Sequence, residues 1–349
     1  MSNLDEEAED YSDLSQPRIV VIPAELAGTR LDAALAQLFP EWSRSRLTTW
    51  IKEQRVTVDG RQLSPKDKLW GAESVRVEPV PDPEQTAFTP EPVDLQVVYE
   101  DRSILVLDKP AGLVVHPAAG NWGGTILNGL LYHYPELGTV PRAGIVHRLD
   151  KDTSGLMVVA RTVAAQTQLV RQLQDRSVGR RYLALVEGDL NTSGVVDAPV
   201  GRHPRDRIRM AVVSTGKPAR THYRPLERYG RRTLVECKLE TGRTHQIRVH
   251  MQKLGFPLVA DPLYNGKPLA PTDPAQTMFQ AGRQALHAAK LELVHPESGK
   301  SMRWRAPLPS DMAELIMALR VQAGLAAEPD DEDWDDDDDN DVECIWMVE

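Results

Sequence analysis

GIVHRLDKDTSGLMVVA, residues Gly144 to Ala160, sets an arginine and two acids in a short polar run between apolar segments. Loops held on a rigid scaffold are where reactive groups are usually placed. Arg-Leu-Asp alone is a common tripeptide, so the reading rests on the longer run and on what surrounds it. Outward from it, β-like runs (LQVVYE, SILVLDKP, GLMVVAR, RYLALVEG, TLVECKLE) alternate with helical ones (VAAQTQLVRQLQD, THQIRVHMQKLG) and Gly-containing turns. The pattern predicts an α+β fold: a large mixed domain with a mainly antiparallel sheet over 95–322.

A small α+β module is expected in front, over 17–78. Ile19 to Ile22 reads as a strand. In TRLDAALAQLFP, Leu31, Ala34, Leu35 and Leu38 recur at helical spacing, with Thr29 able to cap and Pro40 just past the end. A second helix starts at Ser43, with Leu47, Trp50 and Ile51 on one face, followed by VTVDGRQL, a hairpin turning at Asp59-Gly60. Arg44, Arg46, Lys52 and Arg55 give this module repeated positive charge. Five prolines between Pro79 and Pro92 predict an extended linker over 79–94. An acidic tail over 1–16 and another over 323–349 have too little to bury and are expected to be disordered. The last residues, CIWMVE, are apolar again, and the sequence supplies no account of them.

The net charge of −10 argues against a polyanionic partner only if it is spread evenly. It is not. Residues 1–16 carry six acids and 328–349 carry thirteen, with no Lys or Arg in either; the rest holds 32 acids against 41 bases, a net +9. A basic body between acidic ends fits RNA binding, although acidic tails also serve solubility alone. No window holds the roughly eighteen uninterrupted apolar residues of a membrane span, and MSNLDEEAED is acidic where a signal peptide is basic. A soluble cytoplasmic protein, away from the membrane, is expected. Cys237 and Cys344 lie far apart without ligand spacing, so neither a disulfide framework nor a zinc site is indicated.

H-R-L-D-x-x-T-S-G followed by a β-run resembles the signature of the large-subunit rRNA pseudouridine synthase family. Three more segments fall in that family's order: DKPAGLVVHP (Asp108 to Pro117), RRYLALVEG (Arg180 to Gly188) and TGRTHQIRVHMQKLGFPLVAD (Thr241 to Asp261). The front module resembles the RNA-binding module named after ribosomal small-subunit protein four, through Arg30-Leu31-Asp32, Ser43-Arg44-Ser45-Arg46 and Val56-Thr57-Val58-Asp59-Gly60. Together they look like the synthase D type. Phe256 departs from the family, which often has His there.

The resemblance implies a pseudouridine synthase domain that isomerises specific uridines in large-subunit rRNA, or in ribosome precursor particles, as a monomer. That chemistry breaks a glycosidic bond, turns the base and remakes the bond to carbon, with no net redox change and no group lost, so it calls for no cofactor and no metal. It needs a carboxylate nucleophile in a site that excludes water, and a cation to offset the burial. By resemblance Asp150 is the nucleophile, attacking the base ring or the sugar carbon, and Arg248 is its cation. Tyr182 lies over the base and, in a route through a glycal, takes the sugar proton; its alternation with Ala184 and Val186 also fits a core tyrosine. Arg148 fills the space of the flipped base. Arg243 belongs to the same GRTHQIR element and is expected at the RNA. Arg248 is placed near the start of a helix capped by Thr244, ended by Gly255 and buried through Ile247, Met251 and Leu254.

Arg202, Arg205 and Arg207, with Arg209, form the expected basic strip for the RNA backbone. His147, His245 and His250 read as packing or RNA-contact residues, since a spacing of five does not align two ligands on one helix face. Two rivals stand beside this reading. One is an inactive relative serving assembly, against which the presence of Asp150, Tyr182 and Arg248 weighs. The other is a base-releasing hydrolase, which usually needs two carboxylates; Asp152 is the only acid close by. A zinc deaminase lacks its Cys and His cluster.

Overall fold

The computed structural model describes residues 16–80, 87–118, 120–266, 269–279, 283–325 and 343–346. They fall into two units that divide between Thr86 and Ala87. The acidic tail expected over 1–16 lies outside the described residues except for Gln16, as does the acidic block of 326–342.

In the smaller unit, β1 (Arg18–Val21), β2 (Val56–Val58) and β3 (Ser74–Val77) form an antiparallel sheet of order β1-β3-β2. Helices α1 (Leu31–Leu38) and α2 (Arg44–Lys52) pack Leu31, Leu35, Leu47, Trp50 and Ile51 against Val56, Val58, Val75 and Val77. Ser43 caps α2 by accepting the amide of Arg46. Two expectations are corrected. Thr29 caps nothing: Arg30 occupies the N-cap of α1 without a side-chain cap, and the carbonyl of Thr29 receives Leu69 N. The Asp59-Gly60 turn does form: both residues have positive φ, and Val58 and Arg61 exchange backbone hydrogen bonds across it, but beyond that single bridge β2 pairs with β3 and not with the residues after the turn. Pro65 has no amide hydrogen for a ladder, whereas Val75 and Val77 present the alternation that Val56 and Val58 require. Asp32, 4% exposed, receives both Nε and Nη2 of Arg30 and of Arg44 at 2.9–3.1 Å.

The larger unit begins earlier than the sequence suggests. Residues 87–94 of the expected linker are tied along α3 (Ile126–His133): Asn128 Nδ2 donates to the carbonyls of Ala87 and Thr89, and Glu91 N donates to Asn128 O. Prolines keep such a segment extended, and a helix that offers a buried Asn side chain to its carbonyls turns it into part of the core.

The main sheet runs β4 (Val97–Glu100), β5 (Ile104–Lys109), β6 (Ser154–Ala160), β13 (Leu286–Val294), β7 (Gly179–Glu187), β12 (Arg232–Leu239), β11 (Arg220–Arg228) and β8 (Gly194–Asp197). Along this path the pairings are antiparallel except for β6 with β13. Because strand side chains alternate, β7 sends Tyr182, Ala184 and Val186 to one face and Leu183 and Leu185 to the other. The first face is covered by α3 and by α5 (Gln246–Lys253), through Leu127, Leu130, Ile247 and Met251. The second is covered by α4 (Val163–Gln174), α6 (Pro274–Met278) and α7 (Ser310–Gln322), through Leu169, Phe279, Leu315 and Leu319. A separate hairpin, β9 (Val200–Arg202) with β10 (Met210–Val212), presents the arginine-rich loop.

β14 (Ser301–Arg305) extends the sheet from β13, and β15 (Glu343–Trp346) pairs with it in parallel. The apolar end that the sequence left without an account thus covers the exposed edge of β14.

Candidate active site

Asp150 stands at the end of a loop that runs directly into β6, and the chain there tolerates little change. Gly144 has φ 77°, and a Cβ on it would stand 1.8 Å from Ala160 O; Gly155 has φ 110°, and a Cβ on it would stand 2.3 Å from Ala288 O. Only glycine fits at either of these positions. Between them the loop is clamped from two sides. Lys109, 1% exposed, gives its ammonium to the carbonyls of Pro110, Leu113 and Lys151 at 2.7–2.9 Å. Burial pulls its pKa down to about 7 against the nearby charges of Asp152 and Asp150. From the opposite side Arg283 Nη1 donates to Asp152 O, its Nε to Asp311, and Gln284 Nε2 to Thr153 Oγ1.

Arg248 on α5 reaches Asp150 through Nη1–Oδ2 at 3.0 Å. Its other edge is held by Asp261, with Nε–Oδ2 at 2.7 Å and Nη2–Oδ1 at 2.9 Å, and Asp261 also accepts the amides of Leu263 and Tyr264. The side chain of Asp261 is fully buried, and that of Asp150 is 18% exposed. One guanidinium thus bridges a saturated carboxylate and one that still has open lone pairs. Burial lowers the Arg248 pKa, but Asp261 and then Asp150 outweigh it, so the net shift is upward. Arg248 also lies over the Tyr264 ring, 5.0 Å from its centroid.

α5 starts differently from the expectation. Its N-cap is His245, in the left-handed region at φ 56°, and Thr244 caps nothing; Gln246 Oε1 instead accepts Arg243 N and Thr241 Oγ1. Arg248 is itself 4% exposed, because α5 is covered on nearly all sides. Tyr264 Oη accepts Met210 N at 2.8 Å and meets His245 Nδ1 at 2.7 Å. With the hydroxyl hydrogen on Nδ1, His245 turns Nε2–H towards Asp150 Oδ1, 4.0 Å away. Burial keeps the His245 pKa below its usual value.

Asp150, Tyr182, Arg148, Arg243 and Arg248 line one cleft of about 800 Å³. Arg142, Arg176 and Arg180 line it too, so six arginines face Asp150 and Glu240. Tyr182 is 6% exposed, part of the core and part of the cleft wall. Burial pushes its phenol up, Arg180 opposing and Asp150 assisting. A phenol so placed keeps its hydrogen. His250 is a packing residue that joins Thr221 Oγ1 to Ala198 O, while His147 accepts Val158 N at Nε2 and also lines the cleft.

The remaining candidates lie away from the cleft. Arg202, Arg205 and Arg207 are exposed on the β9–β10 loop. In the smaller unit Lys52 and Arg55 are exposed, while Arg44 is spent on Asp32, and Arg46 stacks on Trp50 and donates to Val80 O. Sequence reasoning missed Asp261, Tyr264, Lys109 and Arg283. Asp261 had a signal, as the acid closing the GRTHQIR segment, but nothing in the spacing says that a side chain 13 residues on turns back to Arg248. Among the described residues no three His, Cys, Asp or Glu side chains form a group that could hold a metal ion, and no helix is long and apolar enough to cross a membrane.

A mixed sheet that carries a carboxylate on a buried arginine, in a cleft ringed by cations, defines an enzyme for a polyanionic substrate. The RNA pseudouridylate synthase family profile matches residues 103–253, and the S4 domain profile matches residues 29–69. A ribosomal large subunit pseudouridine synthase D of Nitrosomonas europaea is 56% identical over 301 residues, 86% of this chain and 87% of its own. One from Neisseria meningitidis serogroup B is 50% identical over 365 residues, 97% of each chain. Among solved structures, human RNA pseudouridylate synthase domain containing 4 superposes with a TM-score of 0.52 at 25% identity, over 64% of this chain and 93% of that one. The chain belongs to the RNA pseudouridylate synthase family, and it is an isomerase with an RNA-binding module in front.

Proposed function

We propose that the enzyme isomerises specific uridines of large-subunit ribosomal RNA, in the cytoplasm and as a monomer, with Asp150 as nucleophile and with no cofactor or metal. The observation that carries this is the Asp150 carboxylate on Arg248 Nη1 at 3.0 Å, open to a cleft and backed by a second, saturated carboxylate. The relatives that match over most of the chain are named for the large ribosomal subunit.

The target base leaves its stack, at a cost of a few kcal/mol, and Arg148 takes the vacated space. Asp150 then attacks either the ring or C1′. The N1–C1′ bond breaks, the uracil turns, C5 bonds to C1′, the bond to Asp150 breaks to return its carboxylate, and the C5 hydrogen is replaced by one on N1. Atoms and electrons balance within the nucleotide, which is why no redox partner or acceptor group enters. Tyr182 closes the site as a neutral hydrogen-bond donor, a role its raised pKa favours over removal of the sugar proton. Arg243 grips RNA within the cleft, Arg202, Arg205 and Arg207 outside it, and Lys52 and Arg55 on the front module, where Arg44 is held by Asp32 and Arg46 by Trp50 and Val80.

The test is pseudouridine mapping by carbodiimide-dependent reverse-transcription stops, on large-subunit rRNA transcript incubated with the protein and a chelator. Stops are expected with wild type and absent with Asp150→Asn, whose RNA affinity stays near wild type. Normal product from Asp150→Asn would remove the nucleophile assignment. Bound RNA without stops would move the substrate to precursor particles of the ribosome.

A further inference from the structure

Six described arginines of the larger unit are at least nine-tenths buried, and five of them are paired. Arg232 meets Asp273, Arg248 meets Asp150 and Asp261, Arg283 meets Asp311, Arg303 meets Glu292 and Arg320 meets Glu227. Arg180, 7% exposed, has no hydrogen-bond or ion-pair partner among the described residues, and its buried Nε is unsatisfied. A buried charge without a partner costs several kcal/mol and is kept only where something repays it. We infer that Arg180 receives a backbone phosphate of the bound RNA next to the target nucleotide, and that the anion missing from its surroundings arrives with the substrate. This rests on the reading that RNA enters this cleft.

The position fits. Arg180 lies two residues before Tyr182 on β7, so both side chains leave the same face of the strand, and both line the cleft with Asp150. Its neighbours supply no free anion: the Tyr182 phenol keeps its hydrogen, Arg243 adds positive charge, His147 is held neutral, Asp150 is engaged by Arg248, and Glu240 on the cleft wall is engaged by Arg176, Arg220 and His222. Gly242 leaves the guanidinium its place, since a Cβ there would stand 2.7 Å from Arg180 Nη1. A phosphate matches the guanidinium fork in shape and charge, and a uridine drawn into the cleft brings one on each side. The uracil oxygens are the other acceptors a substrate could offer, and they carry no full charge in the ground state.

Two measurements on full-length protein test this, both in an Asp150→Asn background so that turnover does not enter. In the first, Arg180→Met is expected to leave the melting temperature of the free protein unchanged or higher, because it removes an uncompensated charge. It should weaken RNA binding by about ten- to a hundred-fold and lower the slope of log affinity against log salt by about one. Arg180→Lys, which keeps the charge, should retain most of the affinity. In the second, single neutral methylphosphonate linkages are walked along the RNA around the target uridine. One position should weaken wild-type binding by a similar factor and have no effect on Arg180→Met.

A lower melting temperature with an unchanged salt slope would make Arg180 a structural residue and overturn the inference. So would a methylphosphonate scan with no sensitive position beside the target. Intact affinity of Arg180→Met, together with slowed turnover when the same substitution is made in the active enzyme, would overturn the phosphate contact and assign Arg180 to the uracil oxygens instead. Turnover of the unmodified enzyme on the same RNA reports separately on the functional reading, which fails if no pseudouridine forms whatever Arg180 does.

Discussion

Arg248 Nη1 and Asp150 Oδ2 meet at 3.0 Å across 98 positions of sequence, and the contact is the weaker half of a bridge whose stronger half is Asp261. Asp261 takes two guanidinium hydrogens and two backbone amides, so its lone pairs are used and its orientation is fixed. Asp150 takes one contact from Arg248 and faces the cleft. The two carboxylates differ in hydrogen-bond saturation, which gives them different work: one anchors the cation, the other is left available for chemistry.

Asp261→Asn is therefore expected to loosen Arg248 without touching the substrate. Turnover should fall on the order of a hundred-fold, the effect of a small displacement at a reacting centre. Stability should fall by ~3 kcal/mol, from a broken buried pair. RNA affinity should hold. Single-turnover kinetics with urea unfolding of the same preparation checks all three, and an unchanged rate would show that Arg248 needs no anchor.

Acid should destabilise the larger unit from a pH set by two histidines. Burial pushes His147 down to about 3, helped by Arg180. Burial takes His287 to about 4, the Ala306 carbonyl opposing and Arg283 assisting. Both folded values lie below the unfolded value of roughly 6.5. The unfolded chain then binds more protons below pH 6.5, so the contribution is complete above that pH and is lost as pH falls towards 3–4. Each site supplies on the order of 3 kcal/mol. Urea midpoints between pH 7 and 4 should drop more steeply for wild type than for His287→Asn; parallel curves would show that His287 is not involved.

In the front module two cations that look alike in sequence should separate. Lys52 is exposed, and Lys52→Ala should weaken RNA binding and reduce the salt slope by about one while leaving the melting temperature alone. Arg44 supplies two of the four guanidinium hydrogens on buried Asp32, so Arg44→Ala should cost about 1 kcal/mol of module stability. Thermal melting beside filter binding at two salt concentrations distinguishes them. Equal behaviour of the two variants in both assays would refute the division.

Most of the secondary structure was legible because it follows local rules. Ser43 before a helical period, Val56 and Val58 in alternation, and Leu183 to Val186 as a continuous apolar run each declare an element from the residues alone. Failures came where two distant segments compete for one partner. Thr29 had the chemistry of a cap, but its neighbourhood is set by Leu69; Thr244 had it too, but Gln246 already satisfies that loop. The prolines of 79–94 signal an extended chain, and no local rule says that Asn128 will hold half of it.

The sequence by itself determined the family, the two units, the mainly antiparallel sheet and the positions of Asp150, Tyr182 and Arg248, because motif residues and hydrophobic periods are written in order along the chain. Only the tertiary structure decided which of those cations are free. Arg44 and Arg46 are used inside their module, Arg248 is shared by two carboxylates, and Arg180 alone among the buried, described arginines is left unpaired. Charge is a property of a residue, but its availability depends on what folds beside it, and those partners lie tens to hundreds of residues away.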